Sequence, residues 1–438
     1  MNKPLPRGPL APTVVSRRQF LSMLGLTGAT VALPSLFLGD DAEAAARKKS
    51  KRVATTAKGN RAPTRVVAGR SVPGPRVIVV LEMQGGNDGF SMLVPSGNGR
   101  FRQLRDKVWL DPKDMQAYGD GYSIAKGLGP VAAQLAFIEG VGVAKPELSH
   151  TEMMTRWWQG DPDGTGTYRS GFLGRCCDAI AGDAAIAGVS IGGGSTPALI
   201  SERAPTVALP EIGSLRELIK DDDSRMRPAL TSLTDGGDDG SGLEFVDRDL
   251  LAKARAGLSS GLSLLGGLGG LSDANAKSRG YPDGNLAEAF ALAHDLVSLN
   301  AGIRVIHIPW GSFDTHTGQR WSHPEQMRQL GNALGAFRND LVRSGLTERV
   351  LVATTSEFGR RPEANAGGTD HGTASTMLML GPVRPGRQGA PVDFNRLDRA
   401  GNASATVSMN DYYATLASWL GAPIAAGSPL TSLGVTAA

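Results

Sequence analysis

The stretch Arg349–Gly381, RVLVATTSEFGRRPEANAGGTDHGTASTMLMLG, decides how the chain is read. Val350–Thr355 is short, apolar and β-branched, the composition of a buried strand, and it delivers Ser356, Glu357, Phe358 and Gly359 at its carboxyl end. A glycine-rich loop follows, and Thr369, Asp370, His371 and Gly372 then lead into a second apolar run, Met377–Leu380. In an α/β sheet, side chains just past strand carboxyl ends line the crevice where ligands bind. Glu357 and His371 are therefore expected to meet.

The same pattern recurs upstream. Arg76–Leu81 (RVIVVL) reads as a first core strand, and QGGNDG at 84–89 places Asp88 just beyond it, between glycines that let the backbone approach a ligand. Arg304–Ile308 is another strand, and it feeds WGSFDTH at 310–316. Asp314 and His316 are two apart, so an extended backbone turns both to one side. Asn285–Leu299 and Gln326–Val342 have helical periodicity, Val131–Val143 reads as helix then strand, and Phe101–Leu128 reads as surface loops. Ser149 with Glu152 three residues on is a capping box opening a helix with Met153, Met154, Trp157 and Trp158. The alternative puts Ser149 or His150 in the crevice, where a helix N-terminus favours an anion and a hydroxyl can attack it. His294, His307 and His323 are read as structural, and GGGST at 192–196, lacking the lysine of a phosphate loop, as a turn.

The N-terminus has its own logic. Ser16-Arg-Arg-Gln-Phe-Leu21 precedes an apolar segment, Met23–Leu38, and small residues at 42–45. This is a twin-arginine signal with cleavage near Ala44, and its apolar part is too short for a stable transmembrane anchor. It predicts export by the twin-arginine translocase to the periplasm or cell surface. Residues 45–75 read as a basic disordered linker, because Arg47–Arg70 holds nine Lys/Arg and no acid. Setting aside the leader's four basic and three acidic residues and the linker's nine basic ones leaves 33 basic against 39 acidic from Ser71 on. The pI near 9.1 thus belongs to the tail and gives no support for a nucleic-acid partner. Residues 76–438 read as one domain, with a glycine-rich lid insertion near 230–280. Its two cysteines, Cys176 and Cys177, are adjacent, which is neither a disulfide framework nor a haem or iron–sulfur motif.

Asp88, Asp314, His316, Glu357, Asp370 and His371 are the candidate metal ligands, with Arg360 placed to pair with an oxyanion. Carboxylates and imidazoles with no cysteine among them favour a divalent ion, zinc first and Mn, Mg or Ca as alternatives. Six such groups can hold one or two ions, which activate water or stabilise a displacement at phosphorus. The competing reading has Arg360 or Arg361 neutralising Glu357.

GGNDG at 85–89, SH at 149–150, FDTH at 313–316, SEFGR at 356–360 and TDHG at 369–372, together with the leader, resemble the exported bacterial family of unknown function numbered 1501. That family is grouped with the alkaline phosphatase and sulfatase superfamily. The resemblance implies a three-layer α/β/α sandwich with a mainly parallel central sheet, alkaline phosphatase-like, with metals at strand carboxyl ends. It implies Asp88 as the early ligand, Ser149 near the nucleophile's place, Asp314 with His316 as a metal pair and His371 as the late histidine. The pair is closer in sequence than in that superfamily, and Phe358 stands where a histidine is expected. No C/S-x-P-x-R context surrounds Ser149 or the cysteines, which disfavours a formylglycine sulfatase. The expected activity is an exported, metal-dependent hydrolysis of phosphate or related esters, on a small-molecule or polymer substrate. The alternative is a non-catalytic periplasmic or cell-surface accessory protein that keeps the fold.

Overall fold

The computed structural model describes residues 74–434 apart from 183, 185, 210–272 and 425–426. The expected signal peptide, the linker up to residue 73 and the lid insertion up to residue 272 lie outside the described residues. The strands are β1 Val77–Met83, β2 Leu93–Val94, β3 Met115–Gly119, β4 Tyr122–Ala125, β5 Leu135–Gly142, β6 Gly188–Ile191 and β7 Thr206–Leu209. They continue with β8 Val305–Trp310, β9 Val350–Thr355, β10 Gly359–Ala364, β11 Thr369–Gly372, β12 Ser375–Leu380, β13 Gly386–Gly389 and β14 Val407–Ser408. The helices are α1 Gly89–Met92, α2 Gly99–Leu104, α3 His150–Gln159, α4 Phe172–Ile180, α5 Asp273–Ser278, α6 Asn285–Ser298, α7 Gln319–Ser344 and α8 Met409–Leu420.

Nine strands form the central sheet, in the order β13-β5-β12-β9-β1-β8-β6-β7 with β14 also on β5. β1 pairs in parallel with both β8 and β9, and only β12 runs antiparallel to its neighbours. Every residue of β1 and β9 is buried, as a strand covered on both faces requires. The strand period of two then divides β1 between two cores. Val77, Val79, Leu81 and Met83 pack under α6 and α7, where the Phe290 and Phe337 rings lie 5.0 Å apart. Ile78 and Val80 pack with Trp157 of α3, Leu173 of α4 and Leu416 of α8. Helices on both faces of a mainly parallel sheet make the expected three-layer α/β/α sandwich.

Several sequence expectations are corrected. Residues 101–128 hold a β3–β4 hairpin, which pairs on to β2. Its two-residue turn, Asp120-Gly121, has φ of 49° and 75°, the doubly positive turn that an Asp-Gly pair favours. The expected helix before β5 is a 3₁₀ segment, Lys126–Gln134. α7 begins seven residues earlier than its periodicity suggested and contains Pro324. The carbonyl freed by that proline, four residues back, belongs to the exposed Arg320, so the helix continues past it. Cys176 and Cys177 are buried on α4 as unpaired thiols, and burial pushes the Cys176 thiol up to about 12, far from a reactive thiolate. No helix among the described residues is long and apolar enough to cross a membrane.

Candidate metal centre

Four backbone segments meet beyond the carboxyl ends of β1, β8 and β9: Gln84–Asp88, Phe313–His316, Ser356–Phe358 and the β10–β11 hairpin. The first must be glycine-rich. Gly85 and Gly86 have φ of +101° and +78°, and a Cβ at Gly86 would stand 2.2 Å from the Phe358 ring. Gly86→Ala is therefore expected to cost about 1–3 kcal/mol by overpacking and backbone strain, read from a urea titration; an unchanged midpoint would contradict this fit.

Arg360, on β10, ties these segments together. Fully buried, its guanidinium donates to the carbonyls of Gly86 at 2.7 Å, Thr369 at 2.8 Å and Phe313 at 2.9 Å, and to that of Gly85. It also donates to the Asp314 carboxylate, at 2.8 Å. The expected roles of Arg360, free oxyanion partner or counter-charge to Glu357, are both corrected: its donors are spent on four carbonyls and Asp314. Burial works to raise the Asp314 pKa, but the Arg360 and His371 hydrogen bonds hold it at about 2. Asp314 is thus an anchored carboxylate.

Three imidazoles face it. His316 Nε2 lies 3.1 Å and His371 Nε2 3.2 Å from Asp314 Oδ1, while His150 Nε2 lies 3.4 Å from Oδ2. On each ring the other nitrogen has an acceptor behind it. His150 Nδ1 is 2.9 Å from the buried Glu357 carboxylate, His316 Nδ1 is 3.0 Å from Asp370, and His371 Nδ1 is 2.7 Å from the Leu148 carbonyl. A carbonyl only accepts, so His371 carries its proton on Nδ1 and turns a lone pair inward on Nε2. Burial lowers its pKa, which favours that neutral ring. In the other two a carboxylate stands at each ring nitrogen, and a cation at Asp314 would select the same tautomer, with the proton on Nδ1.

This arrangement fits a metal ion. His316 and His371 bring their Nε2 atoms to 3.0 Å of each other, a contact that opposes two lone pairs unless a cation or proton lies between them. Ligands about 2.0–2.1 Å from a tetrahedral ion stand roughly 3.3 Å apart, close to the spacings here. His150, Asp314 and His371 offer ligand atoms all within 4.8 Å of one another; His316 is not in that group and reaches it through its contacts with Asp314 and His371. The group is partly open to solvent, with the side chains of Asp314 and His316 each 42% exposed.

The structure divides the six expected ligands. Asp314, His316 and His371 converge, and His150, noted in sequence only as a crevice alternative at the start of α3, joins them. Glu357 and Asp370 stand behind histidines instead: Glu357 also accepts from the Gly85 amide at 2.8 Å, and Asp370 from Asn365 at 3.1 Å. The Asn365 hydrogen bond, and the His316 one after it, lower the Asp370 pKa. Asp88 is a correction. It is wholly buried, paired with Arg105, and takes further hydrogen bonds from Ser91 at 2.5 Å and from Gln319. Gln319 in turn accepts from Thr315 at 3.2 Å, between Asp314 and His316, and from Thr369 at 2.7 Å, next to Asp370. Asp88 braces the centre from below. Ser149 is exposed at the N-cap of α3 and makes no capping bond, while Glu152 pairs with Arg156 at 3.0 Å, so the expected capping box does not form.

With that geometry in view, the sequence can be set beside known proteins. Residues 271–424 match the model of a family described as a protein of unknown function, DUF1501. The matched segment carries Asp314, His316, Glu357, Arg360, Asp370 and His371, whereas Asp88, Ser149 and His150 precede it. No curated protein matches the chain. Among solved structures, Ps i-CgsB in complex with k-i-k-neocarrahexaose is similar at 12% identity and TM-score 0.38, covering 81% of this chain and 75% of that one. A protein in the alkaline phosphatase superfamily from Vibrio parahaemolyticus is similar at 10% identity and TM-score 0.38, covering 83% and 72%. The lipoteichoic acid synthase LtaP from Listeria monocytogenes follows at 10% identity and TM-score 0.35, covering 83% and 76%. Such distant likenesses carry no activity across to this chain.

Proposed function

We propose that the protein is an exported, metal-dependent hydrolase of phosphate or related esters that works with one divalent ion, zinc by its ligand chemistry. The observation that carries this reading is the turning of three imidazole Nε2 atoms on to one anchored carboxylate at the carboxyl edge of a parallel sheet. Imidazole and carboxylate donors suit zinc, and a divalent ion there would polarise a substrate oxygen and lower the pKa of water. The chain's own part is to fix the ligand tautomers through Glu357, Asp370 and the Leu148 carbonyl, and to present the exposed Ser149 hydroxyl beside His150 at a helix start. The twin-arginine leader supports export of the folded protein through its translocase, to the periplasm or cell surface.

Elemental analysis of the exported protein, paired with phosphate and sulfate ester assays, tests this. About one ion per chain is expected, and His316→Ala should lower both metal retention and ester turnover by about 100-fold or more. Metal without any turnover would leave the accessory protein as the better reading. No metal in the folded wild type would remove the centre itself.

A further inference from the structure

The groups that meet at Asp314 are not held alike. His316 Nε2 and His371 Nε2 stand 3.1 and 3.2 Å from one oxygen, Asp314 Oδ1, and 3.0 Å from each other, a near-equilateral triangle. The backbone that carries these three is cross-linked. The Thr369 amide donates to the Thr315 carbonyl at 3.2 Å, Gln319 joins the Thr315 and Thr369 hydroxyls, and Arg360 donates to the Phe313 and Thr369 carbonyls. The two segments lie so close that a Cβ at Gly368 would stand 1.9 Å from the Thr315 carbonyl oxygen. Moving Asp314, His316 or His371 must therefore break several of these bonds together.

His150 differs at each point. It faces the other oxygen, Asp314 Oδ2, at 3.4 Å, the longest of the three contacts, and its side chain is 36% exposed. It comes from α3, which is fastened at its far end: Trp158 Nε1 donates to the buried Glu82 carboxylate at 2.7 Å, and the Tyr413 hydroxyl to the Trp157 carbonyl at 2.6 Å. At the near end Ser149 makes no capping bond, and the tie from His371 falls on the Leu148 carbonyl, two residues ahead of His150. Two partly open clefts, of about 360 and 220 Å³ counting the space at their mouths, share Trp157 and Glu357 in their walls. Glu357 thus holds His150 Nδ1 at 2.9 Å with open space at hand, and the ring can turn on that hydrogen bond without disturbing the triangle.

We propose that His150 is the exchangeable ligand of this centre, completing the set in the resting protein and giving up its place to a phosphate oxygen when substrate or product binds. The inference rests on the metal-dependent reading of the site. Four protein ligands close a zinc site, whereas hydrolysis needs one position for the substrate, and His150 is the group that can leave with the fewest bonds broken. Phosphate must then displace it, which weakens the observed binding in proportion to how rarely the position is free. Zinc-loaded wild type and His150→Ala, each cleared of excess ion and its metal content measured, are titrated with inorganic phosphate. The variant is expected to keep an ion and to bind phosphate about 10-fold or more tightly than wild type, since such a minor state is populated at about 10% or less. Phosphate bound equally or more weakly by the loaded variant would overturn the proposal, as would complete loss of the ion from it. Imidazole nitrogen resonances of the loaded wild type give a second readout, in which phosphate should free His150 Nε2 and leave His316 and His371 unchanged. Release of either of the latter two instead would also overturn it. A wild type that holds no ion marks the failure of the metal-dependent reading itself, and this proposal falls with it.

Discussion

Asp88→Ala is expected to lose about 3–5 kcal/mol of folding free energy, because it leaves the Arg105 guanidinium buried without its counter-charge. The pair is enclosed: Asp88 is fully buried and Arg105 is 2% exposed, with the Phe90 and Phe101 rings within 5.7 and 5.2 Å of the guanidinium. Arg105 also donates to the carbonyls of Pro362 at 2.7 Å and Arg361 at 3.0 Å, so losing the pair loosens α2 from β10. Acid should reproduce part of the effect. Burial works to raise the Asp88 pKa, but Arg105 outweighs it and the folded value falls from 3.8 to about 2. A depressed folded pKa means that the unfolded chain binds the proton first as pH drops. The contribution is therefore complete above about pH 5 and is lost as pH falls from 3.8 towards 2. Urea titrations of wild type and variant, each with and without a chelator, separate this role from metal ligation. A destabilisation that vanishes when both proteins are stripped of metal would show Asp88 to be a ligand after all.

The contrast between Asp88 and Asp314 shows what a sequence can and cannot convey. Both follow a buried strand and a glycine, so pattern alone placed both correctly past strand carboxyl ends. Their fates differ through partners distant in sequence. Asp88 meets Arg105, which sits at the end of a short helix in a region read as loop, and Asp314 meets Arg360, whose other donors are taken by four carbonyls. No spacing rule encodes which arginine reaches which carboxylate. The sandwich itself was legible because β1, β8 and β9 are continuous apolar runs and α6 is a long amphipathic one. The β3–β4 hairpin was missed although its signal, Asp120-Gly121 between Tyr118 and Tyr122, was present in the sequence. His150 is visible beside Ser149 in the sequence, but the helical capping pattern points to Ser149 and Glu152. In the structure Glu152 binds Arg156 instead, and the residue after the cap is the one that faces the centre.

The largest functional effect should come from Asp314. It alone touches all three imidazoles, so Asp314→Ala is expected to abolish metal retention, with stoichiometry falling from about one ion to a small fraction on dialysis. The carboxylates behind the histidines should behave differently. Glu357→Gln and Asp370→Asn leave every Nε2 in place but weaken the acceptors that hold the tautomers of His150 and His316, and such partners typically carry about 10–100-fold in metal affinity. The two classes therefore separate in a competition with chelators of graded strength: the Glu357 and Asp370 variants keep an ion against a weak chelator, and Asp314→Ala keeps none. Glu357 adds a second consequence, since it also accepts from the Gly85 amide and so couples the β1 loop to His150. Should Glu357→Gln and Asp314→Ala lose the metal equally, Glu357 would have to be a direct ligand. The hydrogen bonds of Oε1 to the Gly85 amide and to His150 Nδ1 argue against that, because they hold this oxygen behind the ring, on the side away from the Nε2 that faces Asp314. The proposed one-ion centre around Asp314 would thus differ from the six-ligand set its sequence first suggests, with Glu357 and Asp370 placed behind histidines. The difference lies in which groups would bind the ion and which would only hold the binders.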